Sequence, residues 1–435
     1  MSGEQPGGGG LARPPAGRFN VRLLRCDSVE ALRNELRAVG ADPRGVAIMD
    51  SKGRHILCKI ERVGHAAASI LKQEMLAKGG EAALSGEIYL GGERTTDVLL
   101  MGVARTFERV IAILCLQPLP SLQALAGELD VALRHAAGHE FPSCRIGSRE
   151  FRWGERTYVM GIINATPDSF SGDGLLSEPD ISPSEAVERA VRQGLAYLEQ
   201  GADILDIGGE STRPGSIPID AETERTRVVP AIHALRAQTD APLSVDTYRA
   251  AVAHAALDAG ADMVNDVWGL QMDSELAPLV AERGVPVVIM HNRSKPKDAQ
   301  QEARLGGRYV GAHYQDLLAD ILRELRAQVE TALQAGIGHE RIIIDPGIGF
   351  GKTVEQNLKL LNHADELRVL GLPVLLGPSR KSFIGYTLNL PPQDRLEGTA
   401  AAVAMSIVRG ADIVRVHDVQ AMVRIARMTD AILRA

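Results

Sequence analysis

The sequence predicts an α/β protein, a (β/α)8 TIM barrel preceded by a smaller α/β (α+β) amino-terminal domain. Three observations carry this. From Tyr158 onward eight apolar, β-branched runs recur, each followed by turn residues and an Ala-rich stretch of helical periodicity. Runs that are apolar throughout are buried on both faces, as in a parallel sheet covered by helices. Residues 151–435 come close to the roughly 250 residues typical of such a barrel, and polar residues gather where the runs end, at the face where barrel active sites lie. A doubly wound open sheet would give the same alternation, but eight units in this length favour closure.

In chain order, residues 1–17 are rich in Gly and Pro and read as a disordered tail. Residues 18–140 form the smaller domain, with strands expected at 21–24, 45–49, 55–60 and 98–102. Helices are expected there at 28–39, 66–77, 104–114 and 121–135. This domain shows no catalytic constellation. Residues 141–150, with Pro142 and Gly147, read as a linker to the barrel at 151–435. The barrel runs are 158–164, 204–208, 243–247, 263–267, 285–291, 341–345, 373–377 and 413–417.

Composition narrows the partners. Of 435 residues, 45% are hydrophobic and 24% charged, as in soluble globular proteins, and only 4% are aromatic, so the core is aliphatic. A net charge of −7 argues against nucleic acid, which needs a basic face, but leaves room for a locally basic pocket around a small anion. No apolar run reaches the roughly 18 residues of a membrane span, and the amino terminus lacks the apolar core of a secretion signal. A cytoplasmic enzyme of small-molecule substrates, with no membrane partner, is expected. Cys26, Cys58, Cys115 and Cys144 form no CxxC pair and read as buried reduced thiols.

The strand ends carry the chemistry. Asn164 opens a loop, NATPDSFSGDG, able to close over a ligand or to serve as an ordinary turn. In GGESTRPGS, Thr212 offers a hydroxyl and Arg213 a fork suited to carboxylate or phosphate. Asp246 and Asn265 pair a carboxylate with an amide, which suits a heterocycle edge, although a helix cap is the alternative for either. IIIDPGIGFGKT sets Asp345 against a Gly-rich turn. Its GKT tail resembles a phosphate loop, but Pro346 stands where that motif needs glycine. In GPSRKSFIG, Ser379 precedes a helix and Lys381 can reach back as a donor. In IVRVHD, Arg415 and His417 share one strand face and form a cationic pair for an anion.

That ordered set, from NATPDSFSGDG and GADILDIGGESTRPG through SVDT, ADMVNDV and IIIDPGIGFGK to LGPSRKSFIG and IVRVHDV, resembles the dihydropteroate synthase family across residues 157–433. The resemblance implies condensation of (7,8-dihydropterin-6-yl)methyl diphosphate with p-aminobenzoate. It implies that Asp246, Asn265, Asp345 and Lys381 hold the pterin, with Asp246 and Lys381 as the catalytic pair. It implies that Asn164 carries Mg2+ and, with Thr212, Arg415 and His417, the diphosphate. Arg213, Pro214, Phe350 and Ser379 would form the p-aminobenzoate end, and a homodimer is expected. One departure stands out: the family commonly reads SFSDGG where this chain has SFSGDG, so the role of that aspartate does not transfer to Asp173. A methyltetrahydrofolate-type pterin methyltransferase is one alternative, but should lack the Arg415/His417 pair and the SRK segment. A non-catalytic pterin-binding paralogue is the other.

Overall fold

The computed structural model describes residues 22–24, 26, 28–90, 94–136, 141–165, 182–212, 214, 216, 218–310 and 313–435. The expected tail, most of the NATPDSFSGDG loop with Asp173, and Arg213 lie outside the described residues. Two compact units divide the chain, Met1–Asp130 and Val131–Ala435.

In the first unit, strands His55–Gly64 and Glu81–Leu84 flank Thr95–Val103 in an antiparallel sheet. Buried Val98 and Leu100 alternate with more exposed neighbours, and helices His65–Ala77 and Ala104–Leu114 pack on the central strand. Two expected strands are corrected. Residues 45–49 belong to helix Pro43–Met49, because Asp42 accepts from the amides of Arg44 and Gly45 and Pro43 is preset for a first helical turn. Arg22, Leu23 and Leu24 have no regular structure. Strand Glu81–Leu84, too short to stand out by pattern, is an addition.

The second unit contains strands β1 (Tyr158–Asn164), β2 (Ile204–Gly208), β3 (Leu243–Asp246), β4 (Met263–Asp266), β5 (Val287–Met290), β6 (Ile342–Asp345), β7 (Leu375–Leu376) and β8 (Ile413–Val416). All pairings are parallel, in the order β6-β5-β4-β3-β2-β1-β8-β7. A parallel bridge between Ile344 and Val374 joins the two ends, so the sheet closes into the expected barrel. Around it lie α1 (Pro183–Glu199), α2 (Ala221–Arg236), α3 (Ala250–Asp258), α4 (Leu276–Arg283), α5 (Leu317–Gln334), α6 (Val354–Asn362), α7 (Ser382–Leu388), α8 (Leu396–Val408) and α9 (Val419–Leu433). Several start where a polar side chain satisfies the first free amides: Ser182 for α1, Asp220 for α2 and Asp316 for α5.

Strand alternation sorts the core into two faces. Val159, Leu205, Val264, Ile342, Ile344 and Val414 pack outward against the helices. Met160, Ile204, Met263, Val288, Ile343, Leu375 and Ile413 form a separate inner cluster. The stretch expected as a linker closes this inner layer from below. Cys144–Ile146 and Arg149–Phe151 pair as a hairpin, and Cys144, Ile146 and Phe151 are buried in the inner cluster with Trp153 and Tyr158. The Phe151 ring lies 4.7 Å from Tyr158 and 5.8 Å from Trp153. The thiols are all free, as expected, but only Cys144 is buried and Cys115 is exposed.

If the hairpin is part of the barrel core, Phe151→Ala should destabilise the barrel by about 3–5 kcal/mol. Denaturant unfolding followed by Trp fluorescence reads this. A loss below about 1 kcal/mol would return the segment to the role of a tether.

Candidate active site

Side chains two apart on a strand share a face, so the residue two beyond each floor residue also points inward. Ile204 leads to Asp206, Met263 to Asn265, Ile343 to Asp345 and Ile413 to Arg415. Polar groups thus begin one layer above an apolar floor. Among the described residues they converge on Arg415. Its Nε donates to Asp206 Oδ2 at 2.6 Å and its Nη2 to Asp246 Oδ2 at 2.5 Å. Asn265 Nδ2 donates to the same Asp206 oxygen at 2.9 Å.

Asp206 was not among the residues singled out from sequence, yet it is fully buried and joins two that were. A charge in the middle of the otherwise apolar run ILDIG was the available signal. Its Oδ1 has no hydrogen-bond partner among the described residues. Burial pushes the Asp246 carboxyl above the usual carboxylate range, opposed by the Arg415 guanidinium.

On the neighbouring wall, Asp345 ends β6 and its Oδ1 accepts from the Gly347 amide at 2.7 Å. Burial raises its pKa, while the Gly347 amide and then Lys381, Lys352 and Arg415 oppose the rise. Lys381 Nζ donates to Ile348 O at 2.6 Å and sits 3.8 Å above the Phe350 ring centroid. Burial pushes that ammonium down to about 7, with Asp345 pulling it back up. Phe350, expected at the p-aminobenzoate end, is packed with Val267 and Met290 and lies against Lys381.

His417 follows β8. Its amide donates to Ser379 Oγ at 3.1 Å, and its Nδ1 lies 3.0 Å from the same oxygen. Which of the two donates depends on the tautomer of the ring. Ser379 and His417, expected in different subsites, are therefore partners. The shared face of Arg415 and His417 does not give them shared contacts, since Arg415 reaches across the barrel centre. Arg380 is committed to Asp418 at 2.6 and 2.9 Å, so Lys381 alone of that pair faces the barrel groups.

Asn164 closes β1 in register with Gly208, whose neighbour in the next strand is Asp246. Thr212 and Pro214 lie in the loop after β2, and Pro214 O accepts from Gln301. That loop is anchored at both ends by Arg249, which donates to Glu210, Glu224 and Ile219 O. The GKT tail has no phosphate-loop role to play: Thr353 and Gln356 form a capping box for α6, and Lys352 is buried.

A family model for pterin binding enzymes matches residues 160–417. The chain is 46% identical over 291 residues to the dihydropteroate synthase of Clostridium beijerinckii, covering 67% of this chain and 99% of that one. It is 39% identical over 406 residues to a probable bifunctional folylpolyglutamate synthase/dihydropteroate synthase of Halobacterium salinarum, covering 93% of this chain and 46% of that one. A match of that length reaches into the amino-terminal unit. Among solved structures, dihydropteroate synthase from Xanthomonas albilineans in complex with 7,8-dihydropteroate superposes with a TM-score of 0.57 at 40% identity, covering 68% of this chain and all of the other. With these matches spanning the whole barrel and its ring of inward polar groups, the chain belongs to the dihydropteroate synthase family of pterin-binding enzymes.

Proposed function

We propose that this chain is a transferase that condenses (7,8-dihydropterin-6-yl)methyl diphosphate with p-aminobenzoate, giving 7,8-dihydropteroate and diphosphate. The observation that carries this is the ring of Asp206, Asp246, Asn265, Asp345, Lys381 and Arg415 above an apolar floor. Carboxylates and an amide suit the N–H-rich edge of a pterin, and the cations suit its diphosphate.

Asp345 accepts from the pterin ring N–H groups, and Lys381 donates to a ring acceptor. Asn265, its amide nitrogen committed to Asp206, presents its carbonyl oxygen to the ring. Arg415 and His417, with Asn164 and Thr212, take the diphosphate. As the bond between the exocyclic methylene and the phosphate oxygen breaks, the electron pair leaves with diphosphate and positive charge spreads into the ring. Asp246 faces that charge, which preorganised electrostatics stabilise without reorganisation. Arg415 turns from Asp246 to the diphosphate, so the carboxylate is unmasked as the leaving group is held. The p-aminobenzoate amine then attacks the methylene, forming the C–N bond, and the resulting anilinium gives its proton to solvent. Arg213, Pro214, Phe350 and Ser379 form the p-aminobenzoate end, and holding the two substrates in line contributes an entropic advantage.

Mg2+ belongs to this reading only in a limited form. Among the described residues no group of three or more His, Cys, Asp or Glu could hold a metal. The amide oxygen of Asn164 is a hard donor that fits Mg2+ held mainly by water and substrate phosphates. When bound, the ion would neutralise charge on the departing diphosphate. A homodimer and a cytoplasmic setting are further parts of the proposal.

The deciding assay is formation of dihydropteroate from the two purified substrates, with and without Mg2+. No product under either condition would overturn the reading. Within it, Asp345→Asn should abolish tight binding of free pterin even in chelator, because the amide replaces one acceptor oxygen with an NH2 donor that faces the ring's own N–H groups. Calorimetric titration of both proteins checks this, and an unchanged affinity would move Asp345 out of the pterin site.

A further inference from the structure

We infer that Lys352 is a positioning residue for the Asp345 carboxylate, acting through the backbone of Gly347 and braced from behind by His291 and Glu324. The inference rests on the reading of Asp345 as the group that meets the pterin edge.

Lys352 is 2% exposed, although lysine is rarely buried without a charged partner. Its three hydrogen-bond partners are instead neutral: Gly347 O at 3.0 Å, Phe350 O at 3.1 Å and His291 Nδ1 at 3.1 Å. All three ammonium protons are used. The Gly347 residue links two charges, since its carbonyl accepts from Lys352 while its amide donates to Asp345 Oδ1 at 2.7 Å. No other residue fits there, because at φ +72° a Cβ would lie 2.0 Å from His291 O.

The brace is equally specific. His291 is fully buried after β5, and its own amide donates to Asp345 O at 2.8 Å. Because Nδ1 accepts from Lys352, Nε2 carries the proton and donates to Glu324 Oε2 of α5 at 2.9 Å. Glu324 is in turn gripped by Arg293. Burial first, and then Lys352, push His291 down to about 4, so it stays neutral. A hydrogen-bonded chain thus runs from an outer helix to a carboxylate at the barrel mouth.

The charged groups facing Asp345 are Lys381, Lys352 and Arg415, and those facing Lys352 are Asp345, Lys381, Arg293 and Glu324. Lys381 and Arg415 belong to the ligand's side of the site, whereas Lys352 stays behind the loop. Burial pushes Lys352 down to about 7, with Asp345 opposing. Its charge is therefore fully present below neutral pH, where a buried carboxyl most needs a cation to stay ionised.

The test is calorimetric titration of 6-hydroxymethyl-7,8-dihydropterin into wild type, Lys352→Met and Lys352→Gln, with folding checked by circular dichroism. The ratio of variant to wild-type Kd cancels the ligand's own ionisation. For Lys352→Met it should be at least about threefold larger at about pH 5.5 than at about pH 8, because without the cation behind the loop the buried Asp345 carboxyl takes up its proton earlier as pH falls. A ratio that does not change with pH, whatever its size, overturns the inference, because a purely structural defect weakens binding alike at both. Should the methionine variant fail to fold, Lys352→Gln, which keeps donors without charge, is judged by the same ratio. Failure of wild type to bind the pterin, or tight binding by Asp345→Asn, shows in the controls and takes down the reading of the site along with this one.

Discussion

The Arg415 guanidinium, part-buried between the carboxylates of Asp206 and Asp246, is the interaction on which the barrel mouth depends. A lone cation there would be untenable, and removing one partner of a buried pair typically costs about 3–5 kcal/mol. Its two carboxylates lie on adjacent strands, β2 and β3, while Arg415 comes from β8 on the other side of β1. Apolar residues of similar volume would serve stability as well or better. The charges are instead held one layer above a floor of Met, Ile, Val and Leu, where an incoming anion can compete for the arginine.

Around that centre, backbone loops are fixed by side chains that need never touch a ligand. Arg249 holds both ends of the loop after β2, Lys352 holds the turn after β6, and Arg380 is tied to Asp418. Each is a cation spent on carbonyls or carboxylates of its own fold. Arg249 and Arg380 are thus tied into the fold, whereas Arg415 and Lys381 lie among the polar groups of the barrel mouth.

Much of this was legible in the sequence because burial on both faces leaves a plain mark. The eight strands stood out as unbroken apolar runs, and their polar ends indicated the working face. Asn265, Asp345 and Arg415 could be read because each closes or nearly closes such a run. Asp206 could not be read by that rule, since it lies within ILDIG rather than at its end. Pairing was likewise invisible: nothing in spacing says that Arg415 crosses to Asp246 or that His417 meets Ser379. Local capping outweighed an apolar run at 45–49, where Asp42 and Pro43 start a helix. Around 141–150, Pro142 and Gly147 looked like a tether, and the alternation of Cys144, Ile146 and Phe151, which marks a one-sided hairpin, was the weaker signal.

The central claim is that Arg415 is a leaving-group cation stored on two carboxylates. Comparing Arg415→Ala with wild type, by titration of the pterin diphosphate and of the bare hydroxymethylpterin, tests it most directly. A charged hydrogen bond is worth roughly 1.5–3 kcal/mol, so the diphosphate should lose about ten- to more than a hundredfold in affinity. The bare pterin, which has no anion to hold, should lose far less. Equal losses for the two ligands would contradict the account and leave Arg415 as a structural ion pair.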